Sequence, residues 1–212
     1  MGEPVRSSEL TEEKSLIQIW KVTRQFKKSA FNSVVVLGAF VGTFAFLMLI
    51  DASARHLIKI DSWLVESGFV FATTMLGFLI AGFAIFLTFN QTDFLLRLAR
   101  IRESKTRISY LKFVTFHMID TFIYYFLFGI FCFVLMVLLK NQRGISELGR
   151  EIVSDKVSVK IIAWIVTSFI VGFYVYVFAA LKSFIYNVYI SVMIAVRLRL
   201  QKFESKSRRR GL

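Results

Sequence analysis

The sequence has little of what soluble enzymes and secreted domains are built on. Its one cysteine, Cys132, excludes a disulfide within the chain. Its one proline, Pro4, leaves every long apolar run without a helix-breaking residue, which argues against transporter folds built on discontinuous helices. Acidic residues are also scarce, because 14 Asp and Glu stand against 27 Lys and Arg.

Catalytic and cofactor-binding motifs are missing as well. The sequence contains no GxGxxG, GxxxxGK[ST], HExxH, GxSxG or CxxC pattern, and its two histidines fall on opposite sides of the predicted membrane. An intramembrane aspartyl protease needs two carboxylates, whereas Asp120 is the only acid within a predicted span. We therefore expect no enzyme activity, no cofactor and no metal site. The basic segment 91–112 does not resemble a nucleic-acid platform of interleaved aromatic residues, and direct nucleic-acid binding is not expected either.

Apolar residues are what the chain has in excess. They make up 56% of the sequence and include 24 Phe, against about 45–50% apolar residues in soluble domains. Four long apolar runs each reach the length of about 20 residues that crosses a bilayer as a helix. The sequence predicts an all-α integral membrane protein with four transmembrane helices, at about 30–50, 67–90, 113–139 and 161–181.

The basic residues predict the orientation of these spans. Of the 27 Lys and Arg, 20 lie in an N-terminal arm (1–29), a middle segment (91–112) and a C-terminal tail (182–212). The positive-inside bias then places both termini in the cytoplasm, as in a multi-pass protein of the inner membrane. The arm is amphipathic, and fits either a helix on the membrane surface or one packed on neighbouring subunits. The predicted basic surface, suited to anionic lipid or an acidic partner, consists of Arg97, Arg100, Arg102, Arg197, Arg199, Arg208, Arg209 and Arg210.

The fourth span is not followed by a polar loop. No Pro or Gly lies between Gly172 and Gly211, so we expect this helix to continue beyond residue 181 into the cytosol, to about Phe203. Large side chains recur along it at alternating intervals of three and four residues, as in the seam of a coiled coil. An interfacial helix lying flat is the alternative. This predicted seam consists of Tyr186, Tyr189, Met193, Val196, Leu200 and Phe203.

Small residues four apart occur on three of the spans. Such steps let helix backbones approach closely, either within a subunit or between subunits. The predicted packing steps are Gly38/Gly42, Gly68/Ala72, Gly77/Ala81 and Ser168/Gly172.

The third span carries a polar stripe. His117, Asp120, Thr121 and Tyr124 follow the spacing i, i+3, i+4 and i+7, which puts them on one helix face that should lie against protein or water. Asp120 has three candidate roles: an anchor at the inner boundary that pairs with Lys182, a contact between subunits, and a site on an ion or proton pathway.

Two function classes follow from these features. The first is a homo-oligomeric scaffold or sensor, with a tetramer favoured, which recruits a cytosolic partner protein through its basic helices. The second is a homo-oligomeric channel or pore with the Asp120 stripe in its path. The overall plan combines a short cytosolic arm, four unbroken spans, small outer loops and a long basic cytosolic end. This plan resembles the four-span membrane subunit of Kiwa-type bacterial anti-phage defence systems. The resemblance implies a tetrameric inner-membrane sensor that works with a cytosolic DNA-binding partner, and it carries no residue-level role.

Overall fold

The structure is a computed structural model that describes residues 9, 12–24, 30–89, 92–102, 108–140 and 156–209. In this part of the chain every regular element is a helix, apart from one isolated antiparallel bridge between Arg102 and Ser109. The helices are α1 (Leu16–Thr23), α2 (Ala30–Leu49), α3 (Ala54–Phe89), α4 (Thr92–Arg100), α5 (Tyr110–Lys140) and α6 (Lys156–Arg209).

Four of these helices, α2, α3, α5 and α6, are long and apolar enough to span a membrane. They confirm the prediction of an all-helical protein with four candidate spans. Helices α2 and α5 begin and end within three residues of the predicted limits. Helix α6 has 54 residues, or about 80 Å at 1.5 Å per residue, and so extends well past one bilayer thickness.

The connection between α2 and α3 is shorter than the sequence predicts. Asp51 has a φ of 52°, in the left-handed region that ends helices. The amide of Asp51 donates to the carbonyl of Met48 at 3.2 Å, and that of Ala52 donates to Leu47 at 3.1 Å, which is the hydrogen-bond pair of a Schellman motif. The hydroxyl of Ser53 then accepts from the amide of His56 and caps the start of α3.

Residues 54–66, which the sequence predicts as part of a charged connection, are therefore the first turns of α3. The charges that argued against a helix here are compatible with one, because Arg55, Lys59 and Glu66 are exposed on its surface. The fourth charged residue, Asp61, is buried. Only Ile50–Ser53 separate α2 from α3.

The chain forms two compact units. The span unit comprises Lys28–Leu79 and Phe122–Ala180, and the arm unit comprises Met1–Lys27, Ile80–Thr121 and Leu181–Leu212. In the span unit, aromatic rings pack between helices, as where Phe71 contacts Phe178 with ring centroids 4.9 Å apart. In the arm unit, the buried Leu98 of α4 is the centre of a small apolar cluster with Tyr110 and Ile194.

Candidate functional site: the polar stripe, the arm and the exposed seam

The polar stripe of α5 is largely covered by the chain itself. Thr121 is buried, and its hydroxyl donates to the carbonyl of His117 one turn earlier at 3.2 Å. His117 is half-buried, with its ring 4.6 Å from that of Phe113. In the span unit, Tyr124 packs edge-on against Tyr176 with centroids 4.9 Å apart. The stripe thus lies against protein along much of its length.

Asp120 contacts the N-terminal arm. Its Oδ1 lies 3.1 Å from the hydroxyl of Thr23, the last residue of α1, which is almost fully buried. The same hydroxyl lies 2.9 Å from the carbonyl of Trp20 in the preceding turn. Asp120 also has further interactions beyond this one. The predicted pair between Asp120 and Lys182 stays a prediction, whereas the contact with Thr23 has no counterpart in the sequence analysis.

A cluster of ion pairs joins the arm to the start of α5. Lys112 is only 7% exposed in its side chain, and its ammonium lies 2.5 Å from the carboxylate of Glu13, which is 11% exposed. The ammonium also donates to the backbone carbonyl of Glu9 at 2.8 Å and lies 3.8 Å from Glu12. We call Lys112 and these three acids the arm clamp. Ordinary charge patterning does not reveal it, because its partners are about a hundred positions apart.

The predicted basic surface is therefore only partly free. The Nη2 of Arg102 lies 3.2 Å from Oε1 and 3.1 Å from Oε2 of Glu9, so Arg102 helps to hold the arm. Arg100 and Arg197 are exposed. The side chains of Arg97, Arg199, Arg208 and Arg209, and the whole of Arg210, lie outside the described residues.

Two of the predicted packing steps lie at helix contacts within the span unit. A Cβ on Gly68 would lie 2.8 Å from both Cys132 Sγ and Tyr174 Oη, so only glycine fits there. Ala72, one turn on, is fully buried, and its Cβ would lie 3.5 Å from a Cβ on Gly129 of α5.

The Ser168/Gly172 step of α6 faces α2. A Cβ on Gly172 would be 3.6 Å from the Cβ of Phe40, at ordinary contact distance. Ser168 is fully buried, and its hydroxyl donates to the carbonyl of Trp164 at 2.7 Å. The two steps thus sit where spans meet, although only Gly68 is crowded enough to exclude alanine.

The other two steps lie at exposed positions of their helices. Gly38, Gly42, Gly77 and Ala81 are exposed, and a Cβ built on any of the three glycines would meet nothing within 4 Å in the described residues. Of the two predicted alternatives, these glycines show no close contact within the subunit among the described residues. The contact between subunits stays a prediction.

The predicted seam of α6 is exposed along its described length. The exposed fractions of Tyr186, Tyr189, Met193, Val196 and Leu200 lie between 46% and 62%, and the side chain of Phe203 lies outside the described residues. Four buried residues of α6 form a different stripe, at intervals of seven: Ile170, Val177, Phe184 and Ser191.

The two stripes lie on opposite sides of the helix. At about 100° per residue, Met193 is turned about 200° from Ser191, and Tyr186, Tyr189, Val196 and Leu200 lie within about 40° of the direction opposite Ser191. Helix α6 thus packs one face within the chain and presents a second apolar face to its surroundings.

The structure also contains a buried acid that the sequence analysis missed. Asp61 of α3 is 3% exposed, and its Oδ2 lies 3.0 Å from the hydroxyl of Thr167 on α6. Its Oδ1 has no hydrogen-bond partner among the described residues. Asp61 was assigned to a connecting loop because of its charged neighbours, so Asp120 was wrongly taken as the only acid within a span.

No three His, Cys, Asp or Glu side chains come together as a metal site in the described ranges. Comparisons with protein-family models, with curated proteins and with solved structures find no match to this chain. The features that bear on function are therefore the exposed seam, the arm clamp and the buried acids.

Proposed function

We propose that the protein is a homo-oligomeric, multi-pass scaffold or sensor of the inner membrane that recruits a cytosolic partner protein. The observation that carries this proposal is the exposed seam of α6. A stripe with alternating three- and four-residue spacing is the pattern by which helices associate in coiled coils. In the described residues nothing from the same chain covers the seam, and a second copy of the same helix offers a complementary surface.

The position of the seam along α6 separates it from an ordinary lipid-facing surface. Ile161–Leu181 is free of charge and has the length of one bilayer crossing. The seam begins four residues after Lys182 and continues past Arg197. Residues after Lys182 thus extend beyond a single crossing, where exposed apolar side chains meet water unless another helix covers them.

Two further features support this function. The exposed Gly38/Gly42 and Gly77/Ala81 steps offer close approach to neighbouring subunits in the membrane. Arg100 and Arg197 are exposed and provide basic contacts for an acidic partner. The excess of Lys and Arg in the arm, middle segment and tail supports a cytoplasmic location for these basic residues, by the positive-inside bias. The architectural resemblance to the Kiwa membrane subunit is the ground for favouring a tetramer and a role in anti-phage defence.

The experiment is to disrupt the seam and measure subunit number. We expect Met193→Glu with Val196→Glu to convert the oligomer of the purified protein to smaller species, because like charges would face one another across the seam. The matched control is Met193→Leu with Val196→Ile, which keeps an apolar seam. Native mass spectrometry of both variants in detergent provides the measurement. An unchanged subunit number in the Glu variant would contradict the proposal.

A channel formed by the Asp120 stripe has weaker support. The stripe contacts Thr23, Phe113 and Tyr176 of its own chain, which leaves less of its polar surface to line a path. Planar-bilayer recording of the purified protein tests the channel. A conductance that Asp120→Asn alters would favour the channel over the scaffold.

A further inference from the structure

We propose that Asp61 is held as the neutral acid and is a proton-binding site that joins α3 to α6 in the span unit. The proposal depends on hydrogen-bond geometry and burial around this carboxyl group, and it is independent of the proposed oligomer. Its ligand is a proton.

First, the hydroxyl of Thr167 has only one proton for two neighbouring oxygens. A hydroxyl group has one proton to donate, together with two lone pairs that accept. The Oγ1 of Thr167 lies 3.0 Å from Asp61 Oδ2 and also 3.0 Å from the carbonyl oxygen of Ala163. Neither a carboxylate nor a carbonyl can donate. With an ionised Asp61, the two oxygens therefore compete for this single proton, and neither receives a full hydrogen bond.

A protonated Asp61 satisfies both contacts. Its Oδ2–H donates to the hydroxyl oxygen of Thr167, and the Thr167 hydroxyl donates to the carbonyl of Ala163. The result is a hydrogen-bonded chain from α3 into the backbone of α6. The proton on Asp61 thus gives each of the two contacts of the Thr167 hydroxyl a hydrogen of its own.

The second argument is the environment of the other oxygen. Asp61 Oδ1 is buried and has no hydrogen-bond partner among the described residues. On an ionised carboxylate this atom would carry half of a negative charge, and burying such a charge without a partner is strongly unfavourable. On a neutral acid the same atom is an uncharged carbonyl oxygen, whose burial without a partner costs much less.

No ion pair to Asp61 is formed by the described residues of the neighbouring segments. Lys160 of α6 contacts Asp51, at the end of α2. Lys140 of α5 contacts Glu66 of α3 at 3.1 Å. The other titratable groups near Asp61 along α3 are exposed: Arg55, His56 and Lys59.

Asp120 resembles Asp61 in one contact but differs from it in burial. Asp120 also contacts a threonine whose hydroxyl is shared with a backbone carbonyl. It is only half-buried, however, and has further interactions. Asp61 is 3% exposed and has a buried oxygen without a partner in the described residues. Its burial and its lack of hydrogen-bond partners in the described residues thus make Asp61, and not Asp120, the acid that we expect to be neutral.

Infrared spectroscopy of the purified protein in lipid tests the proposal directly. At neutral pH we expect a carbonyl stretching band of a protonated carboxylic acid, and we expect Asp61→Asn to lose it. The matched control is Glu66→Gln, which changes an exposed acid on the same helix and should keep the band. A spectrum in which Asp61→Asn removes no such band at neutral pH would overturn the proposal.

A second variant covers the case in which Asp61→Asn does not fold. Thr167→Val keeps the shape of the side chain but removes the oxygen that accepts from Asp61. We expect the protonated-acid band to persist and to shift in frequency, because the acid has lost its acceptor. A band at the wild-type frequency in Thr167→Val would show that the proton does not lie between these two side chains.

Thermal unfolding supplies a further readout. A proton held in the folded state and released on unfolding makes stability fall as pH rises, through the range in which only the unfolded chain is ionised at this carboxyl. Above that range the contribution is constant. We expect Asp61→Asn to show a smaller loss of stability over that range. Stabilisation of the wild type by sodium over choline, absent in Asp61→Asn, would instead identify a metal-cation site and overturn the assignment of a proton.

Discussion

The interactions inside the span unit differ in kind from those inside the arm unit. The span unit depends on close packing, with Gly68 against Cys132 and Tyr174, and with many aromatic contacts. The arm unit depends on ion pairs between distant segments, with Lys112 enclosed by acids of the N-terminal arm. Lipid provides no hydrophobic drive for helices to associate, so packing quality decides the stability of spans. Ion pairs can hold distant segments together near water, but removing one partner leaves the other charge uncompensated and destabilises the contact.

The largest expected effect comes from filling the tightest contact in the span unit. We expect Gly68→Ala to destabilise the protein by about 2–3 kcal/mol, because the new methyl group would overlap Cys132 Sγ and Tyr174 Oη. Tyr174 cannot move freely, since its hydroxyl donates to the carbonyl of Leu64 at 2.6 Å. The measurement is thermal unfolding in detergent.

The matched control is Gly77→Ala, the same change on the same helix. No described atom lies within 4 Å of the added methyl group. Since alanine also favours the helix by up to about 1 kcal/mol, this variant should be as stable as the wild type or more so. Equal destabilisation by the two substitutions would show that the packing at Gly68 is not what holds the span unit together.

The next effect concerns the arm clamp. We expect Lys112→Met to cost about 2 kcal/mol, because it leaves the nearly buried Glu13 without its cation. The cost is below that of a fully buried pair, since the arm can swing Glu13 into water. Faster proteolysis within the arm, together with a lower unfolding temperature, would be the signature of this loss.

The pair between Lys140 and Glu66 provides the comparison for that variant. Both side chains are about half exposed or more, at 64% and 48%, so Lys140→Met should cost no more than about 0.5 kcal/mol. Similar effects of the two lysine substitutions would contradict the view that the arm clamp is a structural ion pair.

The smallest expected effect is at the contact between the arm and Asp120. Thr23→Val removes a buried hydroxyl that lies 3.1 Å from Asp120, and we expect a loss of about 1 kcal/mol. Thr73→Val is the control, because the hydroxyl of Thr73 is exposed and donates only within its own helix. Thermal unfolding of both variants measures the difference. If Thr23→Val is as stable as the wild type, the arm is held by the clamp alone.

The number and type of the spans followed from the sequence because both depend on local properties. A continuous apolar run of about 20 residues predicts a spanning helix whatever its partners are. The long continuation of α6 was also predictable, since no Pro or Gly interrupts it after Gly172. The structure confirms both predictions, with α6 reaching Arg209.

The start of α3 could not be predicted in the same way. Charged residues in 55–66 indicated a connection, whereas the backbone of Asp51 and the cap at Ser53 place the turn before them. Asp61 is accommodated in the helix by Thr167, which lies 106 positions away in the sequence. Partners this distant cannot be inferred from spacing along one helix.

The candidate site shows the same division between local and distant information. The polar stripe of α5 and the seam of α6 were visible as helical spacings. The arm clamp and the contact between Thr23 and Asp120 were not, because they join the first helix to residues that follow about a hundred positions later. Small-residue steps fell between these cases: their spacing was visible, but the sequence did not indicate which of them contact another helix of the same chain.

The closed turn at Asp51 bears on how the protein enters its membrane. Only Ile50–Ser53 separate α2 from α3, and Lys160 and Trp164 of α6 later hold this turn through Asp51 and the carbonyl of Ala52. The two helices therefore form a helical hairpin, and we expect them to insert into the membrane as a pair. A reporter domain fused after α2 would separate the halves of this hairpin, so we expect such a fusion to report an assembly intermediate in place of the finished protein.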